Sequence, residues 1–178
     1  MKTNRIIALS AALFACPAIY GQFAATGTTT VSVAVSAEAA LQVTTGTTTL
    51  AASGTIFNAY TGTTNLLYKI RTSASTGTGT ITLKVTSDFS PANGPSVGTP
   101  PSAGDALSYT CTVAAPGTGC SGSQTASTAA STSVATFGAG ASSSNSGTAA
   151  STAWSLTNDP VYKPGSYSAT VTYTISAT

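Results

Sequence analysis

Few residues in this chain are able to do chemistry. It has no histidine, four acidic residues, six basic residues and three cysteines in 178 positions. Without histidine, Ser-His-Asp and Cys-His nucleophilic arrangements are excluded, and so is a His-ligated zinc or copper site. A Ser-Lys dyad would need a serine three residues before a lysine, and none precedes Lys69, Lys84 or Lys163 in that way. Acid–base work would fall to Glu38, Asp88, Asp105 and Asp159. These are widely spread, and Asp88 (TSDFSP), Asp105 (AGDAL) and Asp159 (TNDP) stand among turn formers. Asn158-Asp159, or Asp105 with loop carbonyls, could supply oxygen ligands to calcium, but no ligand spacing supports it and the turn reading is preferred. Gly77-Thr78-Gly79 precedes no helix that could hold a phosphate. Trp154 with Leu156, and Tyr167 with Tyr173, could line a sugar-binding face, although aromatics on an alternating stripe more often belong to a core. The expectation is a protein that is not an enzyme and takes no cofactor or metal.

The first residues read as a secretory signal over 1–21. Lys2 and Arg5 form a positive region, and Ile6 to Ala15 an apolar one too short to span a bilayer as a helix. Cleavage after Ala18 and after Gly21 are both open, the second being favoured. A lipoprotein signal acting through Cys16 is a minor alternative, disfavoured by Phe14 and Pro17. The expected location is therefore secreted or at the cell surface, with no transmembrane segment. Removing Lys2 and Arg5 with the signal leaves four basic residues against four acidic ones. A neutral chain carries no electrostatic footprint for nucleic acid or an anionic membrane, and little charge to keep copies apart. After cleavage only Cys111 and Cys120 remain, and an even pair in an exported chain reads as a disulfide, closed here by the turn between them into one hairpin.

The elements that must carry these residues are strands. Ser166 to Thr178 alternates without a break: Tyr167, Ala169, Val171, Tyr173, Ile175 and Ala177 on one face, Ser and Thr on the other, launched by Pro164-Gly165. No C-terminal anchor helix or sorting tail is expected after it. From Asn65 to Asp88 two further stripes, Leu66/Tyr68/Ile70/Thr72/Ala74 and Ile81/Leu83/Val85, flank a Gly-rich turn. A two-residue hairpin turn at Gly77-Thr78 would set Ile70 opposite Val85, Thr72 opposite Leu83, Ala74 opposite Ile81, and Arg71 opposite Lys84. Thr28 to Ala37 alternates with Val31, Val33 and Val35 on one face, and Leu107, Tyr109, Cys111 and Val113 form another stripe. Weaker strands are expected at 41–43, 48–51, 55–58, 133–137 and 153–156. Pro91 to Gly104 is a Pro/Gly loop, and 139–152 a mobile low-complexity Ser/Ala/Gly loop. No helical period appears outside the signal, and too few long alternating strands or aromatics are present for an outer-membrane barrel. The expected fold is all-β: residues 22–178 as a single immunoglobulin-like β-sandwich of about eight to ten antiparallel strands.

The closing segment GSYSATVTYTISAT resembles the last strand of secreted bacterial pilin-like β-sandwiches, the spore coat U and archaic chaperone–usher pilin group. TTTVSVAVSAEA, soon after the signal, resembles their N-terminal donor strand. The resemblance covers the two ends of the chain. It implies a structural subunit of a surface filament or coat, with residues 22–38 as donor strand. Val31, Val33 and Val35 would insert into the next subunit by strand addition. The implied partners are like subunits and a periplasmic assembly chaperone. A monomeric adhesion or glycan-binding module acting through the loops at 91–104 and 139–152 is the alternative.

Overall fold

The structure, a computed structural model, describes residues 26–54 and 56–178. The expected signal at 1–21, including Cys16, lies outside the described residues. The chain divides into two units, Met1–Ala34 and Val35–Thr178. In the first, residues 26–34 form no strand, and Val31 and Val33 are 90% and 85% exposed.

The second unit holds ten strands: β1 Glu38–Val43, β2 Ala51–Ala52, β3 Tyr60–Arg71, β4 Gly79–Ser90, β5 Leu107–Val113, β6 Thr118–Gly119, β7 Gln124–Thr125, β8 Thr132–Phe137, β9 Thr148–Leu156 and β10 Ser168–Ala177. Among the described residues there is no helix, and every ladder is antiparallel. One sheet runs β1-β3-β9-β5-β7 with β2 also on β3; the other runs β10-β4-β8-β6. Period-two alternation puts one face of each strand into a shared core. Leu66, Tyr68, Ile70, Tyr109, Trp154 and Leu156 come from the first sheet, and Ile81, Leu83, Val85, Val134 and Phe137 from the second, all buried. The rings of Tyr68 and Phe137 meet edge to face across the sheets, with centroids 5.1 Å apart.

The expected hairpin at Gly77-Thr78 does not form. β3 and β4 belong to different sheets, and residues 72–78 arch between them. The two apolar stripes therefore meet across the core instead of side by side. The arch is held by bonds that a hairpin could not make: Thr72 Oγ1 donates to Gly138 O at 2.7 Å and Ser73 N to Thr178 O at 3.0 Å. Gly77 packs so tightly on Ser73 and Thr178 that no Cβ fits there. Arg71 consequently pairs with Glu38, not Lys84, and the like-charge pair implied by a hairpin is absent. Thr28 to Ala37, read as alternating, carries no ladder: pairing begins at Glu38, because residues 28–37 have no neighbouring strand to satisfy their backbone groups. Part of the expected 139–152 loop is also regular, since β9 begins at Thr148 and pairs on both sides with β3 and β5. The weak strand at 55–58 is replaced by a turn at 56–57, with Thr55 outside the described residues.

Cys111 and Cys120 form a disulfide, with Cα atoms 5.4 Å apart. They do not lie in one hairpin. Cys111 is on β5 of the first sheet, while Cys120 follows β6 and donates its N–H to Val134 O of the second. The bond therefore staples the sheets together on the side away from β1 and β10. Closing a loop of this length removes about 2.5–3 kcal/mol of denatured-state entropy in the chain-entropy model. Replacing both cysteines by serine is expected to lower unfolding stability by about that amount in urea titrations while keeping the far-UV β signature. A change under about 0.5 kcal/mol would show that the staple constrains nothing.

Candidate functional site: an open seam between β1 and β10

No ladder closes the side opposite the disulfide. β1 and β10 are edge strands of different sheets and lie against each other along this side. The alternation of β10 is unbroken, yet its inward stripe, Ala169, Val171, Tyr173, Ile175 and Ala177, is only half-buried throughout. On its neighbour β4 the equivalent Ile81, Leu83 and Val85 are fully buried. Ala39 and Leu41 on β1 are half-buried in the same way, and Val43 is exposed. A stripe designed for a core but left partly in water marks a place where another apolar surface fits.

At one end the seam widens into a groove of about 1140 Å³. Its floor is Trp154, Leu156, Leu107 and Thr64, and Tyr60, Phe89, Val171 and Tyr173 form its walls. Polar atoms in the floor are satisfied. Trp154 Nε1–H donates to Thr64 Oγ1 at 2.9 Å, Thr64 shares a 2.6 Å hydroxyl bond with Thr48, and Thr152 shares one of 2.6 Å with Tyr173. Burial raises the Tyr173 phenol above its ordinary pKa. Among the described residues no buried side-chain N or O atom lacks a partner, so the floor offers an apolar surface with no unmet hydrogen bonds.

The connection from β9 to β10, residues 157–167, closes the groove end. It is tied down by Tyr162 OH donating to Asp105 Oδ2 at 2.9 Å, Lys163 N to Asn93 O at 3.0 Å, and Tyr167 OH to Lys163 O at 2.6 Å. Burial and the Asp105 carboxylate together push the Tyr162 phenol well up. Asp159 accepts from Val161 N at 2.7 Å, and bonds from Ser102 and Val161 hold its carboxyl below the usual range. Asp88 ties down the facing loop. Partial burial works to raise its pKa, but bonds from Val97, Ser96, Gly98 and Phe89 outweigh that and lower it.

The structure thus brings Asp105 and Asp159 together around Tyr162 and leaves Asp88 in its loop and Glu38 on Arg71. Asp159 and Asp88 make the turn bonds expected of them. Asp105, expected as a loop or turn former, is buried and accepts the Tyr162 hydroxyl bond. Trp154 and Leu156 are core residues as well as groove floor, while Tyr167 stands at the rim with its ring filling the space beside Gly94. The sequence reading missed Tyr60, Thr64, Phe89 and Tyr162. Their only signal was that Tyr60 and Phe89 fall at strand ends, where a sandwich opens. Val31, Val33 and Val35 are exposed, Val35 at 64%. Compared with protein-family models, curated proteins and solved structures, the chain matches none.

Proposed function

We propose that this chain is an exported, non-catalytic structural subunit of a surface filament or coat, an immunoglobulin-like sandwich that assembles by strand donation. The observation that carries the reading is the half-buried stripe of β10 beside a groove with an apolar floor. A β-strand with alternating valines would complete both, and this chain contains one in residues 28–37. Seating Val31, Val33 and Val35 in the seam would contribute roughly 1.5–3 kcal/mol each before the costs of association. The strand's Thr/Ser face would stay in water, and its backbone would satisfy the free edge of β10.

Connectivity favours donation between copies. Glu38 pairs with Arg71 and Ala177 with Gly79, and residues 72–78 join those two sites, so the N-terminal segment leaves from the end of the sandwich that carries Thr178. The wide groove is at the other end, among Val43, Tyr60, Leu156 and Tyr167. Donor and acceptor at opposite ends form a head-to-tail contact, which builds open chains. The pilin-like resemblance of both terminal segments points the same way, and a periplasmic chaperone would shield the seam before assembly.

A second reading, a monomeric glycan-binding module, is favoured by the four tyrosines (60, 162, 167 and 173) along the groove. Comparing the mature chain with a version lacking residues 22–38 by sedimentation and urea unfolding separates the two. Loss of self-association on truncation supports the filament subunit. Equal monomer content and equal stability of the two forms sink it, and specific capture of the monomer on a glycan array would then favour the module.

A further inference from the structure

We infer that Arg71 is a positioning residue that fixes the chain at residues 36–38 and keeps each copy from filling its own seam; this rests on the strand-donation reading above. The evidence is at the exit point. Arg71 Nε–H donates to Ser36 O at 2.7 Å, and the same guanidinium reaches Glu38 Oε2 at 3.2 Å. One side chain therefore grips the chain on both sides of Ala37. Its own backbone is fixed between Glu38 on β1 and a bridge to Ser142. Among the described residues this is the sole ion pair, in a chain with few charges to spend.

The grip matters because of the route a self-inserting segment would have to take. The segment joins β1 directly, and β1 borders the seam. To enter the seam of its own copy, the chain would have to reverse within residues 35–38 and run back beside β1. A tight reversal there would move Ser36 O and the Glu38 side chain relative to each other. Arg71 binds both at once, and a planar guanidinium holds two acceptors in fixed geometry where an ammonium would not. The pair is half-exposed on the Arg71 side and more exposed on the Glu38 side, so it adds little to global stability. Its effect is on direction, which decides between open chains and closed species.

The test uses the mature chain with Arg71→Ala, Arg71→Lys and Glu38→Gln. Sedimentation gives the ratio of open chains to monomers and closed dimers, thermal melting the stability, and hydrogen exchange the protection of residues 28–37 in isolated monomer. Arg71→Ala is expected to shift that ratio roughly fivefold toward closed species at near-unchanged melting temperature, with 28–37 newly protected in the monomer. Arg71→Lys should resemble Arg71→Ala, and Glu38→Gln should move the ratio part of the way. Should Arg71→Ala fail to fold, the exposed Glu38→Gln decides, and no shift in it counts against the proposal. Wild-type ratios in Arg71→Ala or in Arg71→Lys overturn it while leaving strand donation standing. A wild-type chain that is monomeric with or without residues 22–38 overturns both.

Discussion

Val33→Asp in the mature chain is expected to abolish self-association while leaving the sandwich folded. Val33 is the middle of the three exposed valines of residues 28–37, so a segment seated by all three places it at the centre of the contact. In the free subunit the substitution is made on a side chain already in water and changes no packing. In the assembled form it would put a carboxylate against Trp154, Val171 and Tyr173, and the cation that lines the groove, Lys163, belongs to the connection at its end. Burying an unpaired charge there costs at least ~3 kcal/mol, more than a hundredfold in association constant. Sedimentation equilibrium of the variant and of the conservative Val33→Ile checks this. Val33→Ile should still assemble, and its far-UV spectrum and urea midpoint should equal those of Val33→Asp. If Val33→Asp self-associates as tightly as the wild type, the segment does not occupy the seam.

Trp154→Ala is expected to cause the largest loss of stability of any single change considered. Trp154 lies on β9 in the middle of its sheet, between Gly62 on β3 and Tyr109 on β5. It is 5% exposed, and its ring packs against that of Tyr109 at 5.3 Å between centroids. Truncation to alanine removes this contact and leaves a void beneath the groove, at a cost of about 3–5 kcal/mol. That is a large share of the 5–15 kcal/mol typical of a domain, so partial unfolding at 37 °C should follow. Trp154→Phe isolates the indole N–H. It keeps most of the volume, and Thr64 retains its bond to Thr48, so the loss should be only about 1–1.5 kcal/mol. Urea midpoints with unchanged slopes measure both. A loss below about 1 kcal/mol for Trp154→Ala would mean that the ring does not support the two sheets.

Much of the strand content was legible because alternation is local. β5 coincides with the Leu107–Val113 stripe, and β10 lies within the 166–178 segment, since each inward residue is apolar, most of them large, and each outward residue hydroxylic. β9 was half hidden for the opposite reason. Its inward Ala150 and Thr152 are small, and Thr152 is small because the Tyr173 phenol needs the space. A run such as TAAST therefore reads as low complexity until its neighbours are known.

The sequence by itself determined that the described fold is all-β and that, among the described residues, Cys111 has only Cys120 as a partner. It also left catalysis without a histidine. Those conclusions follow from residue type and period-two spacing, which need no knowledge of neighbours. Tertiary structure alone decided which strands share a sheet. A hairpin and an arch between β3 and β4 bury the same stripes, so alternation cannot tell them apart; the bonds from Thr72 to Gly138 and from Ser73 to Thr178 do. It alone decided that the disulfide joins two sheets, that Arg71 meets Glu38, and that the seam lies between β1 and β10. The physical reason is common to all three. Each depends on residues brought together from distant parts of the chain, and a pattern that repeats every two residues carries no information about which distant strand lies beside it.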